Sequence, residues 1–206
     1  KILAENAEWI NRRVALAAQS SNADVVATAG KRRSPEDVEC SDVGVAEIFA
    51  GRAFLLCGKT YRVAPSEGAK IYIDGGNVFV PQKYCKDKLL RIKALRSYSK
   101  RLAEVYLSAE ISKFGSSISL CPKKIEYRDL KTTWLKCSMA AERIICMDYR
   151  AVSLPLNLQQ YLIVHAFVHF DVSEHGNAFW NAVSNYLPKY SDVRAGLKRY
   201  AFLFDV

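Results

Sequence analysis

The sequence predicts an α+β fold, and three observations carry the prediction. Strand-like segments cluster around hairpin signals instead of alternating singly with helices, which argues against βαβ crossovers. One long helical pattern separates two such clusters, and further helical patterns close the chain. Half of the 206 residues are apolar (50%), enough for a sizeable core in one domain, or one domain with an appendage. The expected organisation is an N-terminal helix and polar connector over 1–45 and a main domain over 46–206, or one continuous domain over 1–206.

The elements follow in chain order. Residues 2–18 read as an amphipathic helix, with Ile2, Ile10, Val14 and Ala17 returning at helical spacing. Residues 19–38 are small and polar, interrupted by Gly30 and Pro35, and read as a connector. From about 48 to 81 apolar and polar residues alternate, broken by Gly58, Pro65 and Gly68. Three short antiparallel strands are expected there, with Asp74-Gly75-Gly76 as a hairpin turn. Residues 84–114 form a long helical stripe through Leu89, Ile92, Leu95, Leu102, Val105 and Ala109, with Gly115 as its stop. The runs SISLCP, KKIEYRDL and RIICMDY, with KTTWLKCS between the last two, predict a second group of strands and turns. A helix begins near Pro155 or Asn157 and carries LIVHAFVHF, a shorter one covers FWNAVSNYL, and 193–204 is helical.

Composition narrows the function classes. No stretch approaches the ~18 apolar residues of a membrane span, and no charged-then-apolar leader stands at the start. The six cysteines have no close CxxC pairing, which fits reduced thiols and a cytoplasmic setting better than a disulfide framework or a cysteine zinc ribbon. The net charge is +9, which permits an acidic partner. The densest basic run, KYCKDKLLRIKALRSYSKR at 83–101, reads first as a solvated helix face, and no nucleic-acid-binding motif accompanies it.

All three histidines of the chain, His165, His169 and His175, fall within eleven residues. The first two are four apart on a helix, which puts both imidazoles on one face, one turn apart. Such a pair ligates a metal, with Zn²⁺ the usual occupant, and a catalytic zinc site takes a third protein ligand, for which His175 is the candidate. An unbroken helix would carry His175 about 240° round from His169. The helix is therefore expected to end near Val172 or Ser173 and the chain to turn back. In an HExxH peptidase the second position is a glutamate that serves as general base. Here it is Ala166, which has no proton acceptor. A base of that kind is worth about 10²–10⁴-fold, so the chain as written is expected to be nearly inert.

Beyond the histidines, Trp134-Leu135-Lys136-Cys137-Ser138, the run 143–155 ending in Pro155, Phe179-Trp180 and the YLPKY sequence form a wider pattern. Together they resemble the YgjP-like zinc metallopeptidases, a family related to the SprT and WLM groups. The likeness is densest over about 125–200 and reaches weakly to LCGKTYRV at 56–63 and to Glu8-Trp9-Ile10. It implies a zincin-like fold with a small antiparallel sheet packed with helices. It also implies one catalytic-type zinc on His165, His169 and His175, and a protein or peptide substrate. Two departures stand out: Leu135-Lys136 replaces a Gly-Ser pair, and Ala166 replaces the catalytic glutamate. Metzincins share the spacing to the third histidine but carry glycine where this chain has Val172.

Ala166 fits an engineered Glu-to-Ala inactivation or a natural pseudoprotease that binds peptides. A third possibility is a nucleic-acid-associated protease of the SprT type. Glu174 is a candidate substitute base, with a solvated loop position as its ordinary role. Asp148 and Glu142 are candidates to hold a histidine N–H, and Tyr149 or Tyr161 to face an oxyanion. Each also has a plain reading, exposed surface for the two acids and buried packing for the two tyrosines. Trp134, Phe179 and Trp180 read first as packing residues, and Cys137 as a zinc ligand is disfavoured beside three histidines.

Overall fold

A computed structural model describes residues 42–138 and 142–206. The helix expected over 2–18 and the connector over 19–38 lie outside the described residues. The first described element, α1 (Asp42–Phe49), is a helix to which the sequence pattern assigned no element. It ends in a tight reversal in which Arg52 N–H donates to the Glu47 carbonyl at 2.8 Å.

Four strands follow: β1 (Ala53–Leu56), β2 (Lys59–Ser66), β3 (Tyr72–Asp74) and β4 (Asn77–Pro81). They form one sheet in the order β1-β2-β4-β3. The expected hairpin is present: Asp74 pairs with Asn77 across Gly75 and Gly76. Both glycines have positive φ (51° and 80°), as a two-residue turn matched to strand twist requires. The sheet is not purely antiparallel, because β4 inserts between β2 and β3 and runs parallel to β2. Pro65 does not break β2; it pairs with Val80.

The long helical stripe is real but segmented, into α2 (Gln82–Cys85), α3 (Lys88–Leu102), a π-helical turn (Ala103–Leu107) and α4 (Ser108–Ser117). Asp87 caps α3, its side chain accepting from Leu90 N–H at 2.9 Å. The helix runs past Gly115, so SISLCP contributes no strand. The second sheet holds β5 (Lys124–Arg128), β6 (Leu135–Ser138) and β7 (Ile144–Asp148) in the order β5-β7-β6. Its central strand β7 is parallel to β5 and antiparallel to β6.

A 3₁₀ turn (Tyr149–Ser153) leads from β7 into α5 (Leu156–Val168), followed by α6 (Asn177–Tyr186), α7 (Tyr190–Gly196) and a closing 3₁₀ segment (Leu197–Asp205). The class is α+β, with small mixed sheets packed with helices. Two devices fix where α5 starts. The β1–β2 turn is pinned to it by Cys57 N–H and Gly58 N–H donating to the Val152 and Ser153 carbonyls at 3.0 and 2.9 Å. Gly58 has φ +75°, and a Cβ there would fall 2.9 Å from Pro155 Cγ, so only glycine lets the turn approach this closely. In addition, the buried Gln159 amide donates to the Val152 and Leu154 carbonyls at 3.1 and 2.7 Å. Among the described residues, no helix is long and apolar enough to cross a membrane.

Candidate metal centre

Helix α5 is buried on nearly all sides, as a helix apolar around its circumference must be. His165 and the residue just past its end, His169, are the two half-buried positions of its last turns. The helix stops at Val168, earlier than expected. Phe170 N–H then donates to the Phe167 carbonyl and Val172 N–H to the Val168 carbonyl, at 3.0 and 2.9 Å, which tightens the chain into a turn. His169 Nδ1–H pins that turn by donating to the Val172 carbonyl at 3.1 Å. The loop then returns His175 to the other two imidazoles.

The result is a triangle. The Nε2 atoms of His165, His169 and His175 lie 3.1 Å from one another along all three sides. Two nitrogens bound to one tetrahedral Zn²⁺ at about 2.0–2.1 Å lie about 3.3 Å apart, so the spacing suits such an ion. The donor chemistry suits it too. Burial, then the neighbouring imidazoles, then Arg194, push the His165 proton affinity down to about 3, so the ring is neutral near pH 7. Burial also lowers that of His169, against the opposing pull of the Val172 carbonyl. A neutral His169 that donates from Nδ1 presents a bare lone pair at Nε2. Lone pairs facing one another at 3.1 Å repel unless a cation lies between them. Among the described residues, no carboxylate or thiol joins the cluster.

Phe179 closes the triangle from below. Its fully buried ring lies 4.8, 4.6 and 4.6 Å, centroid to centroid, from His165, His169 and His175. Trp180 is half-buried at the rim, stacked on His175 at 5.5 Å with 24° between planes. Tyr161, one turn before His165 on the same face, places its hydroxyl 3.3 Å from His165 Nδ1. It therefore sits behind the imidazole, orienting it, and not on the Nε2 side where an oxyanion would be met. Ala166 is fully buried next to His165 and offers only a methyl group.

The other candidates fall elsewhere. Asp148 is neither exposed nor near a histidine: it is fully buried, and its two oxygens accept from Arg150 Nε and Nη2 at 2.8 Å each. β7 delivers it there because Arg150, two residues on, folds back over the strand end. Glu142 is exposed and accepts from Ser138 Oγ at 2.6 Å. Glu174 is exposed and outside the cluster. Tyr149 packs against Arg150, and Trp134 is buried against Phe204 at 4.4 Å. Cys137 lies in β6, its thiol pushed up to about 12 by burial. On the basic helix, Arg91 is consumed in structure, donating to the Ala50, Gly51 and Cys85 carbonyls. Lys83, Lys86, Lys88, Lys93, Arg96, Lys100 and Arg101 are exposed. Of the rim residues, Tyr190 falls within the YLPKY sequence of the wider pattern, whereas Arg194 carried no spacing signal that tied it to the histidines.

Three comparisons bear on this arrangement. The family model described as YgjP-like, metallopeptidase domain, matches residues 36–200. Among solved structures, the chain is similar to the crystal structure of the metallopeptidase zymogen of Pyrococcus abyssi abylysin. That similarity has a TM-score of 0.40 and 17% identity, and covers 44% of this chain and 90% of that one. No curated protein matches it.

Proposed function

The chain belongs to the YgjP-like metallopeptidase family, and on that premise we propose that it is a zinc-dependent peptidase scaffold whose general base is missing. One Zn²⁺ is held by His165, His169 and His175, and a protein or peptide substrate is bound with little hydrolysis. The observation that carries this is the triangle of Nε2 atoms at 3.1 Å beside the buried methyl of Ala166.

Zinc, when bound, supplies Lewis acidity to a peptide carbonyl and to water. The residues of the chain do the rest. His169 Nδ1–H on the Val172 carbonyl fixes one ring's tautomer, and the Tyr161 hydroxyl steadies His165. Phe179 excludes water from below. At position 166 a glutamate would take a proton from water and pass it to the leaving amine; Ala166 does neither.

The test pairs metal content with activity. Elemental analysis is expected to give about one zinc per chain, and Ala166→Glu is expected to gain peptidase activity on unfolded casein. Zinc without gained activity supports a binding role, because a natural pseudoprotease accumulates further losses. Absence of zinc removes the site. A nucleic-acid-associated protease is the second reading, favoured by the exposed cations of α2 and α3. It requires DNA binding that weakens steeply with salt.

A further inference from the structure

The metal centre has a cationic rim that its chemistry does not use. Helix α7 packs along α5, and its residues Tyr190 and Arg194 are four apart, on one face. Tyr190 stacks on the Trp180 indole at 5.3 Å with 6° between planes, and Arg194 Cζ lies over the same indole, 4.6 Å from its centroid. That indole is itself stacked on His175 and lies 6.2 Å from the His165 ring. The guanidinium is therefore one aromatic ring away from the triangle of nitrogens.

Three further facts give this placement a purpose. Arg194 is exposed, and no ion pair involving it occurs among the described residues. A guanidinium laid over an aromatic face is held in place while its in-plane N–H groups stay free for a bidentate acceptor. Finally, among the described residues no carboxylate joins the histidine cluster itself. A dication held by three imidazoles with a guanidinium beside it would make a strongly anion-seeking surface.

We propose that Arg194, braced on Trp180 and Tyr190, is a specificity-determining residue that recognises a carboxylate of the bound peptide next to the metal centre. The carboxylate is the C-terminal one or that of an Asp or Glu side chain. The proposal rests on the peptide-binding zinc reading given above.

The zinc-loaded chain with Ala166 in place suits the test, because a bound peptide stays uncut. Three versions of one short peptide are titrated by calorimetry: a free C-terminus, a neutral amidated form, and an amidated form with one internal Glu. A carboxylate form is expected to bind roughly 10-fold or more tightly than the neutral amide, as a charge-assisted bidentate pair supplies. Whichever form gains identifies the source of the carboxylate. Arg194→Gln is expected to erase the preference and Arg194→Lys to keep part of it, with zinc content unchanged in both. Equal binding of all three peptides, no binding to a zinc-loaded chain, or a preference that survives Arg194→Gln overturns the role of Arg194. Zinc content is read separately, so loss of the metal reading is distinguished from loss of this one.

Discussion

Two polar clusters flank α5, and they are opposites. At its N-terminal side Asp148, fully buried, binds Arg150 through both oxygens and also accepts from the Leu130 and Arg150 N–H groups at 2.8 and 2.9 Å. Arg150 completes its fork with Asp129 at 2.6 Å and with the Leu203 and Phe204 carbonyls. Burial works against the guanidinium's charge, but the Asp148 carboxylate outweighs it and the proton is held more firmly than usual. At the C-terminal side three imidazole Nε2 atoms lie 3.1 Å from one another, and among the described residues no carboxylate or thiol joins them. A polar cluster that satisfies itself ties β5, β7 and the chain's end together. One in which three ring nitrogens converge on a single point has the donor set that the proposed metal requires.

Breaking the first cluster is expected to give the largest effect on stability. Asp148→Ala leaves Arg150 buried beside a single remaining carboxylate, Asp129. Loss of one member of a buried pair costs about 3–5 kcal/mol, and Asp129 keeps the loss near the lower figure. The thermal midpoint of the metal-free protein is expected to fall by many degrees in calorimetry. His169→Ala should do the reverse. The midpoint without metal should move little, while bound zinc drops from about one per chain toward none. The stabilisation by added zinc, about 2.7 kcal/mol at one hundred times the dissociation constant, should vanish. A metal-free His169→Ala protein as unstable as Asp148→Ala would erase the contrast.

How much of each cluster was legible in the sequence follows from the same contrast. The histidines could be read because their spacing is local: four residues on a helix, then a turn. The turn came earlier than expected because Phe170 and Val172 N–H groups close on Phe167 and Val168, a tightening with no marker residue such as glycine. The Asp148–Arg150 cluster was not legible. Its partners Asp129, Leu203 and Phe204 come from distant parts of the chain, and two charges at a strand end look like surface. The parallel pairings β2–β4 and β5–β7 escaped for the same reason, since strand neighbours are set by tertiary packing. Helix α1 was hidden by β-branched valines flanking Gly44, and SISLCP by its strand-like alternation.

Ala166→Glu sharpens the contrast by adding a charge to the unsatisfied side. The position is fully buried, so an ionised carboxylate there carries a desolvation cost when no metal is present. With zinc loaded the same carboxylate gains a nearby cation. The thermal shift caused by zinc is therefore expected to be larger in Ala166→Glu than in the parent. Catalysis should gain within the roughly 10²–10⁴-fold range of a positioned base. An equal thermal shift in both proteins would mean that residue 166 does not look onto the metal.

The smallest expected effect belongs to Tyr161→Phe. The Tyr161 hydroxyl is 3.3 Å from His165 Nδ1, long for a hydrogen bond to a ring nitrogen, and its ring is packed in the core beside the imidazole. Removing the oxygen leaves the ring contacts in place, so the fold should keep its stability. What is lost is the restraint on the His165 ring. Removing such support behind a ligand costs about 10–100-fold in metal affinity. The long contact argues for the low end, about 10-fold, measured by competition with a zinc chelator. An affinity unchanged by Tyr161→Phe would place the whole orientation of His165 in its packing against Phe179. A loss as large as that of His169→Ala would make the hydroxyl as important to the site as a ligand itself.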